Sequence, residues 1–295
     1  DRIKTELEVI RNVDRLIAQC PTERAELVDD YHADARKVVI IPSAVNTRVF
    51  RPVSQADARE RIGFDQEGKI IVYVGRMLPR KDIRNIVRAL ALLLQQEDSS
   101  LHSPTSPLTL MIVGGETVEP DPVATPEIGE LQRLARELGV SEHVRFIGKR
   151  QANELRDYYS AGDVVVTTPW YEPFGLTPLE AMACGRPVIG SAVGGITFTI
   201  KDGETGLLVP PRDPAALAAS LQQLLSQPEL RMQMGIAARK RVEREFTWSI
   251  VAMRTAALYE TVMAERERRS AAWPLEMEME RLRLPSLPAI PEINP

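Results

Sequence analysis

Two glutamates on either side of a turn carry the clearest chemical signal in this chain. Glu172 and Glu180 lie eight positions apart, with Pro173, Gly175 and Pro178 between them. Carboxylates accept hydrogen bonds from the hydroxyl groups of a polyol, while a turn that leads into a helix offers free backbone N–H groups and a positive dipole end to an anion. The pattern favours a site for a hydroxyl-rich, phosphorylated ligand, although one of the two acids could simply belong to the first turn of the helix.

A basic cluster upstream supplies an independent signal. Gly75 and Arg76 follow a predicted strand over residues 69–74, and Lys81 precedes a helix that Asp82 is expected to cap. Glycine allows a sharp turn close to a ligand, arginine grips phosphate oxygens as a fork, and lysine adds a mobile point charge. Taken alone, these residues could be solvated loop charges. Basic and acidic clusters at one sheet edge instead predict an anionic leaving group joined to a polyhydroxyl group.

Short apolar segments alternate with helical patterns along most of the chain, and this alternation predicts the elements that position both clusters. Strands are expected at residues 38–41, 69–74, 108–113, 144–147, 164–167, 187–189 and 207–209, and helices at 83–94, 128–138, 153–160, 178–184 and from Asp213 onward. Strands with little polar alternation are buried on both faces, which predicts an α/β fold with a doubly wound parallel sheet. Such sheets bind ligands beyond the carboxyl ends of their strands, where both clusters fall.

The two ends of the chain are expected to be helical. Residues 1–34 show two helical patterns, and a long helix is predicted from Trp248 through Tyr259. Beyond Arg269 the tail is either disordered or packed on a partner surface. The chain starts at Asp1 inside a helical pattern, which suggests a piece of a longer protein.

Composition limits the classes of function. The chain of 295 residues is 44% hydrophobic with a formal net charge of −4, so it can bury a large core but has no basic field for nucleic acid. No apolar run is long enough to cross a bilayer, and no signal peptide is recognisable at the start. Cys20 and Cys184 make no metal-ligand pattern, so we expect no metal site and a reduced, cytoplasmic setting.

Several loops leave their interpretation open. Gly194-Gly195 follows the strand at 187–189 and either lets the backbone approach a ligand or forms a turn. The segment from Asp202 to Gly206 predicts a hairpin-type turn. Proline-rich loops at 97–107 and 116–126 are interpreted as solvated insertions, of which the second could border the site.

Five motifs occur along the chain in a characteristic order. They are Gly75-Arg76 with Lys81, Glu172-Pro-Phe-Gly-Leu-Thr-Pro-Leu-Glu180, Ala183-Cys-Gly-Arg-Pro-Val188, Val193-Gly194-Gly195 and Asp202-Gly-Glu-Thr-Gly-Leu-Leu-Val-Pro210. Together they closely resemble the motifs of retaining family-4 glycosyltransferases of the GT-B fold, a group that includes sucrose-phosphate synthase-like and MshA-like enzymes. The resemblance covers roughly residues 35–260. It implies the Rossmann-like C-terminal domain of such an enzyme, with a remnant of the N-terminal domain.

The resemblance also implies residue roles. Arg76 and Lys81 match the pair that binds the donor diphosphate, and Glu172 matches the glutamate that contacts the donor sugar; these three are the expected catalytic residues. Glu180 matches the glutamate that holds the ribose. The remaining expected binding residues fall into three groups. Phe174, Gly175, Leu176 and Thr177 form a loop whose amides reach the sugar and phosphates. Gly75 follows the first strand of the alternating region, and Lys149 and Arg150 form a base-binding edge.

The activity implied is transfer of a glycosyl group from a nucleotide-diphosphate sugar to an unknown acceptor with retention of configuration. A uridine diphosphate sugar is the favoured donor, and neither a metal nor another cofactor is implied. The resemblance divides the chain into residues 1–50, a remnant of the acceptor domain and linker, residues 51–245, the donor-binding domain, and residues 246–295, a crossing helix and tail. Because most of the acceptor domain is missing, the chain alone is expected to be inactive or weak, and any peripheral membrane contact would lie in the missing half.

Two alternatives remain open. The chain could be a non-catalytic nucleotide-sugar-binding module, or a subunit that requires a separate acceptor domain. A phosphorolytic enzyme of the same fold is a weaker alternative, because that class uses a lysine bound to pyridoxal phosphate and no convincing candidate is found.

Overall fold

The computed structural model describes residues 2–64, 68–95 and 107–282, with side chains through residue 270. The chain forms two compact units, Asp1–Val251 and Ala252–Pro295. The functional boundaries expected at residues 50 and 245 remain predictions. Among the helices of the described ranges, none combines the length and the apolar character needed to cross a bilayer.

Four short elements precede the main sheet. Helix α1 (Arg2–Asn12), strand β1 (Leu16–Ala18), helix α2 (Pro21–Asp29) and strand β2 (Val38–Ile40) follow one another, and β1 pairs with β2 in parallel. The two helices predicted within residues 1–34 are present, whereas strand β1 between them was not predicted. Three residues are too few to show the period of a strand, and β1 exists because its backbone pairs with β2.

Helix α3 (Gln55–Arg61) leads into a six-stranded parallel sheet. Its strands are β3 (Lys69–Val74), β4 (Leu108–Val113), β5 (Val144–Gly148), β6 (Val164–Thr167), β7 (Val188–Ser191) and β8 (Gly206–Val209), in the spatial order β5-β4-β3-β6-β7-β8. The structure confirms the predicted doubly wound parallel sheet. For β3, β4 and β6 the predicted and observed ends coincide.

The helices that follow α3 along the chain are α4 (Ile83–Leu94), α5 (Pro126–Glu137), α6 (Ala152–Ala161), α7 (Leu176–Ala183), α8 (Ile196–Thr199), α9 (Pro214–Ser226), α10 (Pro228–Glu245) and α11 (Trp248–Leu282). Helices α3, α8 and α10 were not predicted. Of these, α8 has only four residues, and α10 carries so many charged side chains that its apolar stripe is weak.

The core has two layers because successive strand residues point to opposite faces of the sheet. In β3, Ile71 and Tyr73 pack with α4, α5 and α9, whereas Ile70 and Val72 pack with α6, α7 and α10. All of these strand side chains are almost fully buried. Continuous apolar strands are therefore required, as the sequence pattern indicated.

Local capping and turn predictions had mixed outcomes. Asp213 caps α9 as expected, since its carboxylate accepts a hydrogen bond from the Ala216 N–H at 2.9 Å. Asp82 occupies the N-cap position of α4 as predicted, but its backbone is left-handed (φ 48°) and its side chain makes no capping hydrogen bond. The turn at Asp202 is present, yet it leads into β8, which pairs in parallel with β7, and it is therefore not a hairpin.

Two predictions concern segments that the structure describes only in part. The loop at 97–107 lies outside the described residues except for its last position. In the tail beyond Arg269, the backbone continues as α11 to Leu282. Residues 283–295 lie outside the described residues.

Candidate functional site

A cleft of about 550 Å³ lies beyond the carboxyl ends of strands β3 to β6. All eleven predicted site residues line it, the eleven being Gly75, Arg76, Lys81, Lys149, Arg150, Glu172, Phe174, Gly175, Leu176, Thr177 and Glu180. These residues come from separate segments of the chain, and the parallel sheet brings them together because its strands all end at one edge. Their roles towards a ligand remain predictions, whereas their shared location is a structural fact.

Lys81 and Glu172 form an ion pair inside the cleft. The Lys81 ammonium contacts Glu172 Oε2 directly, and Arg80 Nη1 lies 3.6 Å from the same oxygen. The Lys81 and Glu172 side chains are only 13% and 15% exposed, so this ion pair is largely shielded from solvent. The contacts of Lys81 and Arg80 both go to Glu172 Oε2, and within the described part of the chain Oε1 makes no hydrogen bond.

Arg76 has a different environment. Its side chain is exposed at the mouth of the cleft, directly after β3. The backbone beneath it is held by Tyr73, whose buried phenol donates to the Arg76 carbonyl at 3.1 Å. Arg76 is therefore a cation on an anchored backbone, available to an anion in the cleft.

The backbone of the loop that carries Glu172 packs against the glycine pair Gly194 and Gly195. The Gly195 N–H donates to the Glu172 carbonyl at 3.0 Å. Gly194 has φ 46°, and a Cβ at this position would lie 2.1 Å from that carbonyl oxygen. Neither glycine lines the cleft. The close approach that these glycines allow is therefore between their own backbone and that of Glu172, and not between backbone and ligand.

Helix α7 starts in the cleft. Gly175 precedes it in a left-handed conformation (φ 94°), which turns the chain so that the first amides of α7, at Leu176 and Thr177, begin the helix at the cleft wall. Phe174 is buried and packs edge-on against Phe246, with ring centroids 6.4 Å apart. Phe174 therefore anchors the loop in the core, and it is the backbone of this segment that can face a ligand.

Glu180 lies one turn further along α7. Its Oε2 accepts a hydrogen bond of 2.7 Å from the phenol of Tyr159 on α6. Burial raises the pKa of Glu180 to about 6, and the Tyr159 hydrogen bond opposes this rise. The carboxyl group therefore changes charge close to physiological pH, in contrast with an ordinary exposed glutamate.

Lys149 and Arg150 form the wall beyond β5. Arg150 Nη1 donates to the carbonyls of Val118 at 2.7 Å and Lys149 at 2.9 Å, and Arg150 Nε donates to Tyr158 at 3.1 Å. The Lys149 N–H donates to the Thr117 carbonyl at 2.7 Å. The loop at 116–126 thus borders this edge of the site through its backbone.

Sequence reasoning missed several residues of the cleft, above all Gln19. Gln19 follows β1, and two hydrogen bonds of 3.3 Å tie its segment to the glutamate loop, from Cys20 Sγ to the Pro173 carbonyl and from Thr22 to the Gly194 carbonyl. No local pattern marks Gln19. The other missed residues are Val74, Val113, Gly114, Gly115, Leu155, Thr167, Pro173 and Pro178, and of these the glycine pair after β4 could have been recognised from its place at a strand end.

The charges of the cleft suit an anion joined to hydroxyl groups. Four cationic side chains and two carboxylates line it, and one carboxylate is already paired with Lys81. Within the described residues, no group of three or more His, Cys, Asp or Glu side chains is arranged to hold a metal ion. Cys20 and Cys184 are both buried free thiols.

The parallel sheet, its covering helices and the cleft at its carboxyl edge are those of the Rossmann-like domain of a GT-B glycosyltransferase. The structure of sucrose-phosphate synthase from Thermosynechococcus elongatus superposes with a TM-score of 0.76 at 36% identity, covering 90% of this chain and 62% of that one. Anabaena HepE, solved in complex with UDP and glucose, shares the fold with a TM-score of 0.74 at 19% identity, over 88% of this chain and 66% of its own.

The family model for glycosyl transferases group 1 matches residues 54–241, and the chain belongs to this family. D-inositol 3-phosphate glycosyltransferase of Frankia alni is 39% identical over 251 residues, which is 85% of this chain and 60% of the relative. The enzyme of the same name from Streptomyces scabiei is 37% identical over 268 residues, 90% of this chain and 58% of the relative. The chain thus spans somewhat less than two thirds of the length of these relatives.

Proposed function

We propose that this chain binds a nucleoside diphosphate sugar in the carboxyl-edge cleft and supplies the donor half of a glycosyl transfer that retains configuration. The observation that carries the proposal is the convergence of four cations and two carboxylates in one cleft of about 550 Å³. A diphosphate needs cations and backbone amides, and a sugar and a ribose need carboxylate acceptors. The cleft offers both kinds of group side by side.

The proposed roles follow from these positions. Arg76 and Lys81 bind the diphosphate, together with the amides at the start of α7, and Glu172 accepts hydrogen bonds from the sugar through its Oε1. Glu180 accepts from the ribose hydroxyls, and Lys149 and Arg150 border the base. In this proposal Lys81 binds the diphosphate on one side of the scissile bond and, through its ion pair, positions the sugar-binding Glu172 on the other.

The chemical step breaks the bond between the sugar C1 and the phosphate oxygen. Positive charge grows on the sugar ring, and negative charge grows on the departing diphosphate. Arg76, Lys81 and the α7 amides stabilise that negative charge, and loss of one such donor typically costs about 3 kcal/mol of barrier. The acceptor oxygen forms the new bond to C1 on the face that the diphosphate leaves, and its proton goes to the departing phosphate oxygen, which gives retention without a cofactor.

Calorimetric titration tests the proposal. UDP, ADP and GDP are titrated into the chain, followed by their glucose conjugates, and we expect the uridine nucleotide to bind most tightly. Arg76→Gln should weaken binding about tenfold or more, since charged hydrogen bonds contribute about 1.5–3 kcal/mol. Lys201→Gln is the matched control, because Lys201 is exposed and lies outside the cleft. Absence of binding by all three nucleotides at millimolar concentration would refute the proposal.

A further inference from the structure

We propose that Tyr159 is a positioning residue that keeps the Glu180 carboxylate ionised and oriented towards the ribose of the donor. This inference rests on the proposed function, because it assigns ribose binding to Glu180. Tyr159 itself does not line the cleft, so it acts on the ligand only through Glu180.

The geometry of the pair is well defined. Tyr159 on α6 is fully buried, and its phenol donates to Glu180 Oε2 at 2.7 Å. The ring packs edge-on against Phe50, with centroids 6.0 Å apart and planes inclined by 68°. A buried ring held in this way has few alternative rotamers, so the direction of its hydroxyl group is set by packing.

The phenol remains a hydrogen-bond donor over the whole working pH range. Burial and the nearby charge of Glu180 raise the pKa of Tyr159 well above its ordinary value, while a hydrogen bond with the Thr177 side chain opposes the rise. A phenol has one proton, and the 2.7 Å contact with Glu180 Oε2 assigns that proton to the carboxylate. Tyr159 thus presents a fixed O–H to the carboxylate.

Glu180 depends on this donor because little else in its surroundings favours the charged form. Burial raises the pKa of Glu180 to about 6, and the Tyr159 hydrogen bond is the contribution that lowers it. The other titratable groups around the pair are the thiol of Cys184 at the end of α7 and, across the cleft, Lys149 and Arg150. Cys184 is buried and remains protonated, since burial raises its pKa to about 12.

The charge of the Glu180 carboxyl group determines how many hydrogen bonds it can accept from a ribose. A carboxylate accepts hydrogen bonds from two vicinal hydroxyls, whereas a protonated carboxyl group replaces one acceptor site with a donor. With Oε2 held by Tyr159, the remaining lone pairs of Glu180 can face the cleft that it lines. Removal of the phenol oxygen should therefore shift the protonation of Glu180 to higher pH and weaken ribose binding at neutral pH.

The experiment compares the wild-type chain with Tyr159→Phe in UDP-glucose titrations between pH 5.5 and 8.5, because the terminal phosphate of UDP itself titrates at about pH 6 whereas the diphosphate of UDP-glucose does not titrate in this range. We expect the midpoint of the pH dependence to move upward in the variant. Affinity should be about threefold to tenfold weaker near pH 6.5 and within about twofold of wild type at pH 8.5, since one pKa unit corresponds to a tenfold change in the ionised fraction. Pyrophosphate, which has no ribose, should bind both proteins equally at each pH.

Tyr158→Phe is the matched control. Tyr158 is the neighbouring tyrosine on the same helix, but its hydroxyl bonds Arg150 and not Glu180, so the midpoint should stay at the wild-type pH. Carbon-13 NMR titration of the Glu180 carboxyl carbon in wild type and Tyr159→Phe reports the same shift without any ligand. If Tyr159→Phe does not fold, Glu180→Gln serves instead and should make UDP-glucose affinity independent of pH in this range.

The outcomes separate the two proposals. A wild-type chain that binds no UDP overturns the proposed function and, with it, the ribose role of this pair. A wild-type chain that binds UDP, combined with an unmoved midpoint in Tyr159→Phe, overturns the positioning role alone. Persistent pH dependence in Glu180→Gln has the same effect, because another group would then be titrating.

Discussion

Gly194→Ala should damage the site although Gly194 does not line the cleft. A Cβ at this position would lie 2.1 Å from the Glu172 carbonyl oxygen, a distance at which the backbone must move. The left-handed φ of 46° adds a conformational cost. That cost is about 1–2 kcal/mol for a residue with a Cβ, and overpacking adds about 1–3 kcal/mol, so we expect the free energy of unfolding to fall by about 2–5 kcal/mol.

Gly203→Ala is the matched control for this substitution. Gly203 also has a left-handed backbone (φ 74°), but a Cβ there would meet no atom within 4 Å. Only the conformational cost of about 1–2 kcal/mol applies to it. The difference between the two variants, about 1–3 kcal/mol in urea denaturation, therefore isolates the contact with the Glu172 carbonyl.

Ligand binding provides the functional measurement. Because Glu172 is the proposed sugar-binding residue, Gly194→Ala should weaken UDP-glucose more than UDP, while Gly203→Ala should weaken neither. Equal stability of the two alanine variants would refute the packing argument. An equal loss of UDP and UDP-glucose affinity would refute the link between this glycine and the sugar.

Three further predictions concern buried charges. The pKa of Glu180, raised by burial to about 6 from an ordinary 4.5, means that the folded state holds this proton more tightly than the unfolded state. The free energy of unfolding of the ligand-free chain should therefore fall as pH rises through that window, by about 2 kcal/mol from this group, and Glu180→Gln should remove that component from pH-dependent urea denaturation. Lys81→Met and Glu172→Gln should each lower the free energy of unfolding. The double variant should lose less stability than the two single losses add up to, with a coupling energy of about 1–3 kcal/mol. Strictly additive losses would contradict the ion pair. Asp163→Asn should cost about 3–5 kcal/mol, because the buried carboxylate pairs with Arg59 at 3.1 Å and accepts from the Ile70 N–H at 2.8 Å. Asp57→Asn, in an exposed pair, is its control in the same denaturation assay and should change stability by less than about 1 kcal/mol.

The sheet was predictable because each buried strand is a continuous apolar run. The run at Leu108–Val113 is buried at every position, and the turn residues that follow it mark its end. Helix α4 was predictable for a related reason, since its apolar residues recur at helical spacing. The predictions failed for β1 and α8, which are too short to show a period, and for α10, whose apolar stripe is weak.

Residues that share the cleft could also be predicted, from one geometric rule. Residues that follow different parallel strands meet at the same edge, so Arg76 after β3, Lys149 after β5 and Glu172 after β6 had to share a cleft. Gln19 was missed because it follows a strand of the separate two-stranded sheet, and no rule for the main sheet applies to it.

By itself, the sequence determined the architecture, the order of the motifs and eleven of the residues at the carboxyl edge, because periodicity and strand ends are local properties of a chain. Only the tertiary structure decided which of these side chains touch. The contact of Lys81 with Glu172, the hydrogen bond from Tyr159 to Glu180 and the packing of Gly194 beneath the glutamate loop each join residues far apart in sequence. Such contacts require separate elements to be positioned to within a few tenths of an ångström. No pattern within one element contains that information.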